Sequence, residues 1–90
     1  MDLHKYVKLL QDELFYELQK IDNIGIVKSV YVECINYPIF ELQIYTKTDG
    51  KYNGYLMRFI SQSDISEDLS YIYWFITNKQ NKNLYDIKGV

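Results

Sequence analysis

The sequence predicts an α+β domain of the order helix, three antiparallel strands, helix (αβββα), with both helices on one face of the sheet. Three observations predict it. Apolar residues recur in steps of three and four from Leu3 to Ile21, the spacing of one helix face. Three strand-like runs follow between Ile24 and Ile60, separated by the turn signals "NYP" and "TDGKYNG". A second apolar stripe, introduced by a capping sequence, runs from Ile65 to Ile76.

The first helix places Leu3, Val7, Leu10, Leu14, Leu18 and Ile21 on one side. Asp2 suits its N-cap, and Asn23 with Gly25 suits its stop. Leu9 and Tyr16 fall on its back. The next run, "IGIVKSVYVECI" over 24–35, is rich in β-branched residues, which favour strands. In "IFELQIYTKT", Phe40, Leu42 and Ile44 alternate with Glu41, Gln43, Tyr45 and Lys47, the pattern of a half-buried strand. Asp49-Gly50 or Asn53-Gly54 can each support the hairpin to a third strand, "YLMRFI". A meander is the simplest pairing, because consecutive strands usually lie side by side.

The run "YIYWFIT" over 71–77 is the ambiguous one. Its residue types favour a strand. As a strand, however, it would put Tyr71, Tyr73 and Phe75 on one face and Ile72, Trp74 and Ile76 on the other. Both faces would need cover that so small a domain lacks. As a helix, Ile65, Leu69, Ile72 and Ile76 form one stripe, and Asp64 with Glu67 resembles a capping box. Acidic residues then fall in the first turn and Lys79 near the end, as the helix dipole favours. Periodicity and capping outweigh propensity, so the segment reads as a helix. A polar tail, 79–90, closes a single domain over 1–90.

At 90 residues, the chain needs one compact core. With 48% apolar and 24% charged residues it has the composition of a folded domain rather than a disordered one. No apolar run approaches the ~18 residues of a membrane span. The charged start "MDLHKYVKLLQDELF" excludes a signal-peptide apolar block. A lone cysteine, Cys34, forms no internal disulfide, which fits a reducing, cytoplasmic setting. The chain has no alanine, one arginine and ten tyrosines. That is the bias of AT-rich coding, as in low-GC bacteria, their phages and their mobile elements, and it explains part of the tyrosine excess.

Chemical motifs are absent: no glycine-rich phosphate loop, no CxxC and no HExxH. The single histidine, His4, falls in the first helical turn, where side chains are usually solvated. Cys34 has no second cysteine or histidine beside it in sequence, so it reads as a plain thiol. Glu33 and Glu41 fall on neighbouring strands, and Arg58 on the third strand can neutralise them. We therefore expect no enzymatic activity, no cofactor and no metal.

Helix, three strands, helix is also the order of a double-stranded-RNA-binding domain, and a nucleic-acid-binding domain of that topology is the alternative reading. The likeness is topological only. Where such domains carry lysines at the start of the second helix, this chain has Asp64, Glu67 and Asp68. Its net charge of −2 is also the wrong sign for a phosphate grip, so nucleic-acid binding is not expected. Lys79, Lys82 and Lys88 give the tail only a slight basic bias. Mimicry of nucleic acid by Asp64, Glu67 and Asp68 with Asp12, Glu13 and Glu17 is explained more cheaply by capping and i,i+4 pairing.

Protein–protein interaction is the class that survives. On the second helix Ile72 and Ile76 should face the core, leaving Trp74 and Tyr71 outward beside Glu67 and Asn78. A solvent-facing aromatic pair rimmed by polar groups has the make-up of a binding hot spot. On the sheet, Tyr45 and Tyr31 should share the uncovered face with Glu33, Ile35, Leu56, Arg58 and Ile60. That mixture resembles an interface, and it can serve a homodimer as well as another protein. The expected binding residues are thus Trp74, Tyr71, Glu67, Tyr45, Tyr31 and Arg58. The expected role is that of a small cytoplasmic accessory or inhibitory protein of a phage or mobile element, of anti-defence or immunity type, that occludes a target protein.

Overall fold

A computed structural model describes residues 2–21 and 24–78. It contains α1 (Leu3–Leu18), β1 (Ile26–Asn36), β2 (Ile39–Thr48), β3 (Lys51–Ile60) and α2 (Ile65–Asn78). The strands form one antiparallel meander, β1-β2-β3. The fold is therefore αβββα, with an open sheet. The polar tail expected over 79–90 lies outside the described residues.

Asp2 caps α1, its carboxylate accepting from the backbone amides of His4 and Lys5. Leu10, Leu14 and Leu18 are fully buried, and Tyr6 rather than Val7 completes the buried face above them. The helix stops at Leu18, earlier than the apolar periodicity suggests. Its last turn tightens: the amides of Lys20 and Ile21 bond the carbonyls of Glu17 and Leu18, which still carries Ile21 into the core. Of the expected stop residues, Asn23 lies outside the described residues. Gly25 serves the entry to β1 instead. Its φ is +91°, and a Cβ there would stand 2.2 Å from Thr48 Oγ1.

Two register shifts interrupt the β1–β2 pairing, between Val27 and Ser29 and between Cys34 and Asn36. The first leaves Lys28 unpaired, so that Val27 and Val30, three residues apart, both reach the core. The β2–β3 hairpin turns at Asp49-Gly50, both at positive φ, as a two-residue turn with Asp-Gly favours. Pairing then starts at Thr48 with Lys51, so β3 begins four residues before the expected Tyr55, and Asn53-Gly54 lies inside the strand.

The core has one side. Val30, Val32, Phe40, Leu42, Ile44, Met57 and Phe59 from the sheet form one buried cluster with Leu10, Leu14 and Leu18 of α1 and Ile72 and Ile76 of α2. Both helices therefore cover the same face. The side-chain amide oxygen of Gln11 on α1 accepts from the backbone amide of Val32 at 3.0 Å, which ties the helix to β1. The run 71–77 is helical, as its periodicity demands. Asp64 Oδ1 accepts from the Glu67 amide at 3.0 Å, and Ile72 and Ile76 are fully buried.

Asp68 departs from expectation. The sequence places it in an acidic first turn on the surface, yet it is only 1% exposed. Its carboxylate accepts from Tyr6 Oη at 2.5 Å, Ser61 Oγ at 2.6 Å and the Gln62 backbone amide at 2.8 Å. The group joins α1, the β3–α2 connection and α2 at one point. Burial, followed by the bond to Asp68, pushes the Tyr6 hydroxyl up to about 12. A raised folded value means that this tyrosine's contribution is whole below the ordinary value near 10. It is lost as pH rises through about 12. Stability is thus expected to fall by about 2–3 kcal/mol over that window. Denaturant titrations across it should show that Tyr6→Phe removes this slope.

Candidate interaction surface

The side of the sheet away from the helices is uncovered, and the strand register arranges it in rows. Tyr31, Gln43 and Leu56 form one row, and Glu33, Glu41 and Arg58 the next. Tyr45 stands opposite Ser29 and Gly54. At the end nearest α2, Ile39 pairs with Ile60. The tyrosine and arginine positions expected on this face are all there: Tyr31 is 53% exposed, and Tyr45 and Arg58 are exposed beside it. The two tyrosine rings meet edge to face, with centroids 6.0 Å apart.

Polar groups on this face bond one another. Tyr45 Oη donates to Gln43 Oε1 at 3.1 Å, and Gln43 Nε2 donates to Glu41 Oε1 at 3.2 Å. Arg58 Nε donates to Glu41 Oε2 at 3.0 Å. Groups already satisfied in this way can lose solvent at small cost. Around them stand exposed Ile35, Ile39 and Ile60, the last 64% exposed. Such a face is suited to being covered.

On α2, Trp74 is 56% and Tyr71 44% exposed, their ring centroids 6.4 Å apart. Phe75 lies 5.9 Å from Tyr71 and 6.4 Å from Trp74, completing a three-ring cluster. A groove of about 530 Å³ on the α1 side has Trp74, Tyr73 and Glu17 in its walls. A second, of about 640 Å³, opens between α2 and the end of β3. Ile39, Phe59 and Ile60 line it together with Tyr71, Glu67 and Arg58.

That second groove brings together three of the expected binding residues, Glu67, Tyr71 and Arg58, from a helix and a strand. Tyr31 and Tyr45 stay on the sheet, and Trp74 lies beside Tyr71 but lines the other groove. Arg58 and Tyr71 thus connect the sheet face to the helix. Ile39 is the contributor that sequence reasoning missed. Strict alternation from inward Phe40 would have pointed to it, but it follows the Tyr37-Pro38 turn directly, where alternation is only beginning.

The remaining candidates separate. His4 is exposed, and Cys34 is half-buried opposite Phe40 on the core side. The acidic array is broken up: Asp68 is buried, Asp12 pairs with Lys8 at 3.5 Å, and Glu17 pairs with Lys20 at 3.2 Å. Among the described residues, no three His, Cys, Asp or Glu side chains stand together as a metal site would require. None of their helices is long and apolar enough to cross a membrane. No protein-family model, curated protein or solved structure matches the chain.

Proposed function

We propose that this protein is a non-enzymatic binding module that occludes a target protein. The convergence of Arg58, Glu67 and Tyr71 on an apolar floor of Ile39, Phe59 and Ile60 carries the reading. Such a groove accepts an apolar side chain of a partner, while the guanidinium and carboxylate at its rim take the polar groups flanking it. Tyr71 and Trp74 extend the contact along α2 as rigid, amphipathic anchors. The AT-rich coding bias supports a setting in a phage or mobile element of a low-GC bacterium, as a cytoplasmic inhibitor of anti-defence or immunity type. The alternative, a nucleic-acid-binding domain, draws only on the element order; Asp64 and Glu67, both exposed at the start of α2, oppose it.

The test is capture from a low-GC bacterial lysate, with and without nuclease, using wild type and Trp74→Ala. A stoichiometric protein that survives nuclease and is lost with Trp74→Ala supports the reading. Because the indole is exposed, the substitution should change stability by less than about 1 kcal/mol in a urea titration. A loss of about 3–5 kcal/mol would mark the ring as core and remove it from the interface. Retained nucleic acid without a protein partner would favour the alternative.

A further inference from the structure

We infer that the uncovered sheet face is occupied by a second copy of this chain, in a two-fold arrangement whose axis runs along β2. This inference rests on the binding-module reading and assigns the sheet half of that surface, leaving Trp74, Tyr71 and Glu67 on α2 for the target, with Arg58 and Ile60 at the border of the two contacts. The argument is charge complementarity. Glu33 on β1 and Arg58 on β3 flank Glu41 in one row. Glu41 already has both carboxylate oxygens bonded, one to Gln43 and one to Arg58. The side chain of exposed Glu33 makes no hydrogen bond or ion pair among the described residues. Arg58 uses only its Nε, leaving its terminal nitrogens directed at no described acceptor.

A two-fold rotation about the β2 direction lays β1 of one copy over β3 of the other without shifting the rows. Glu33 then faces Arg58 of the second copy, and the contact occurs twice, as isologous symmetry requires. The same rotation sets Tyr31 against Leu56 and brings the bulge at Ile35 and Asn36 over Ile60. Either this axis or one across the strands through this row sets Glu41 on Glu41, each already bonded to Gln43 and Arg58 of its own copy. The axis across the strands would add Glu33 on Glu33 and Arg58 on Arg58, and like charges would oppose it. Strands of ten residues span ~33 Å, and three of them ~14 Å, giving a footprint of ~450 Å² on each copy. That is below the ~800 Å² of a standard interface, so the dimer should be reversible and form at micromolar concentrations.

Sedimentation of the purified full chain over a concentration series tests this. Wild type should pass from monomer to dimer, while Glu33→Arg and Arg58→Glu alone should each weaken self-association about a hundredfold. Mixing the two single variants should restore a one-to-one dimer, because both facing pairs between positions 33 and 58 are then opposite in charge. Far-UV spectra and melting curves identify a variant that has failed to fold. The double variant E33R/R58E, which keeps a base beside Glu41, then replaces it and should dimerise like wild type. Wild type that stays monomeric up to ~1 mM, or single variants that dimerise as well as wild type, would overturn the arrangement. A monomer that still captures a protein through Trp74 would overturn the dimer alone and leave the binding reading standing.

Discussion

Asp68→Ala is expected to destabilise the fold by about 3–4 kcal/mol. The carboxylate accepts three hydrogen bonds in a site from which water is nearly excluded. Hydrogen bonds to charged groups contribute about 1.5–3 kcal/mol each, and they are not additive when they share one acceptor. Alanine would leave the Tyr6 and Ser61 hydroxyls, both on buried residues, without this acceptor. Asp68→Asn keeps one oxygen acceptor but turns an amide toward the other donors, so its cost should be intermediate. Urea unfolding measures both. A change below about 1 kcal/mol for the alanine variant would mean that the network contributes little to the position of α2.

Phe40→Ala should cost about 3–5 kcal/mol, the range for truncating a buried aromatic. Phe40 is fully buried at the centre of the core, with ring centroids of Tyr6, Tyr37 and Phe59 at 5.9, 6.3 and 5.7 Å. Those rings come from α1, the β1–β2 turn and β3, so the cavity would open where three segments meet. For a domain of this size the loss corresponds to roughly 15–25 °C in melting temperature. Phe40→Leu, which retains most of the volume, should cost less than half as much. Calorimetry that found the two variants equal would show that the site collapses around the missing ring. The neighbours of Phe40 along β2 are Ile39 and Glu41, both on the outer face, so this core position also sets the height and spacing of the proposed interface.

The outward placement of most residues of the proposed surface was legible because alternation in a strand and periodicity in a helix are local. Phe40, Leu42 and Ile44 facing inward force Glu41, Gln43 and Tyr45 outward, and Ile72 with Ile76 inward turns Tyr71 and Trp74 to solvent. The groove was not legible. Glu67 and Tyr71 meet Arg58 only because the β3–α2 connection brings the start of α2 back beside the end of β3, and no spacing in the chain encodes that return. Tyr6 was overlooked for a related reason. An apolar stripe drawn through Leu3 and Val7 treats the helix as if it faced a flat surface, whereas α1 packs on the sheet and on α2 together.

By itself, the sequence determined the order of elements, the helical state of 65–78 despite its strand-favouring residues, the split between core and outward positions on β2, and the inward stripe of Ile72 and Ile76 on α2. Each depends on neighbours within about one turn or one hairpin, where pattern, capping and turn chemistry act. Only the tertiary structure decided which of two turn dipeptides closes the β2–β3 hairpin and where the β1 bulge falls. It alone also placed Asp68 inside. A carboxylate in a first helical turn is favourable on the surface, through the helix dipole, and it is favourable inside only where donors meet it. For Asp68 those donors are Ser61, seven residues away, and Tyr6, sixty-two residues away, so its burial depends on where distant parts of the chain come to rest.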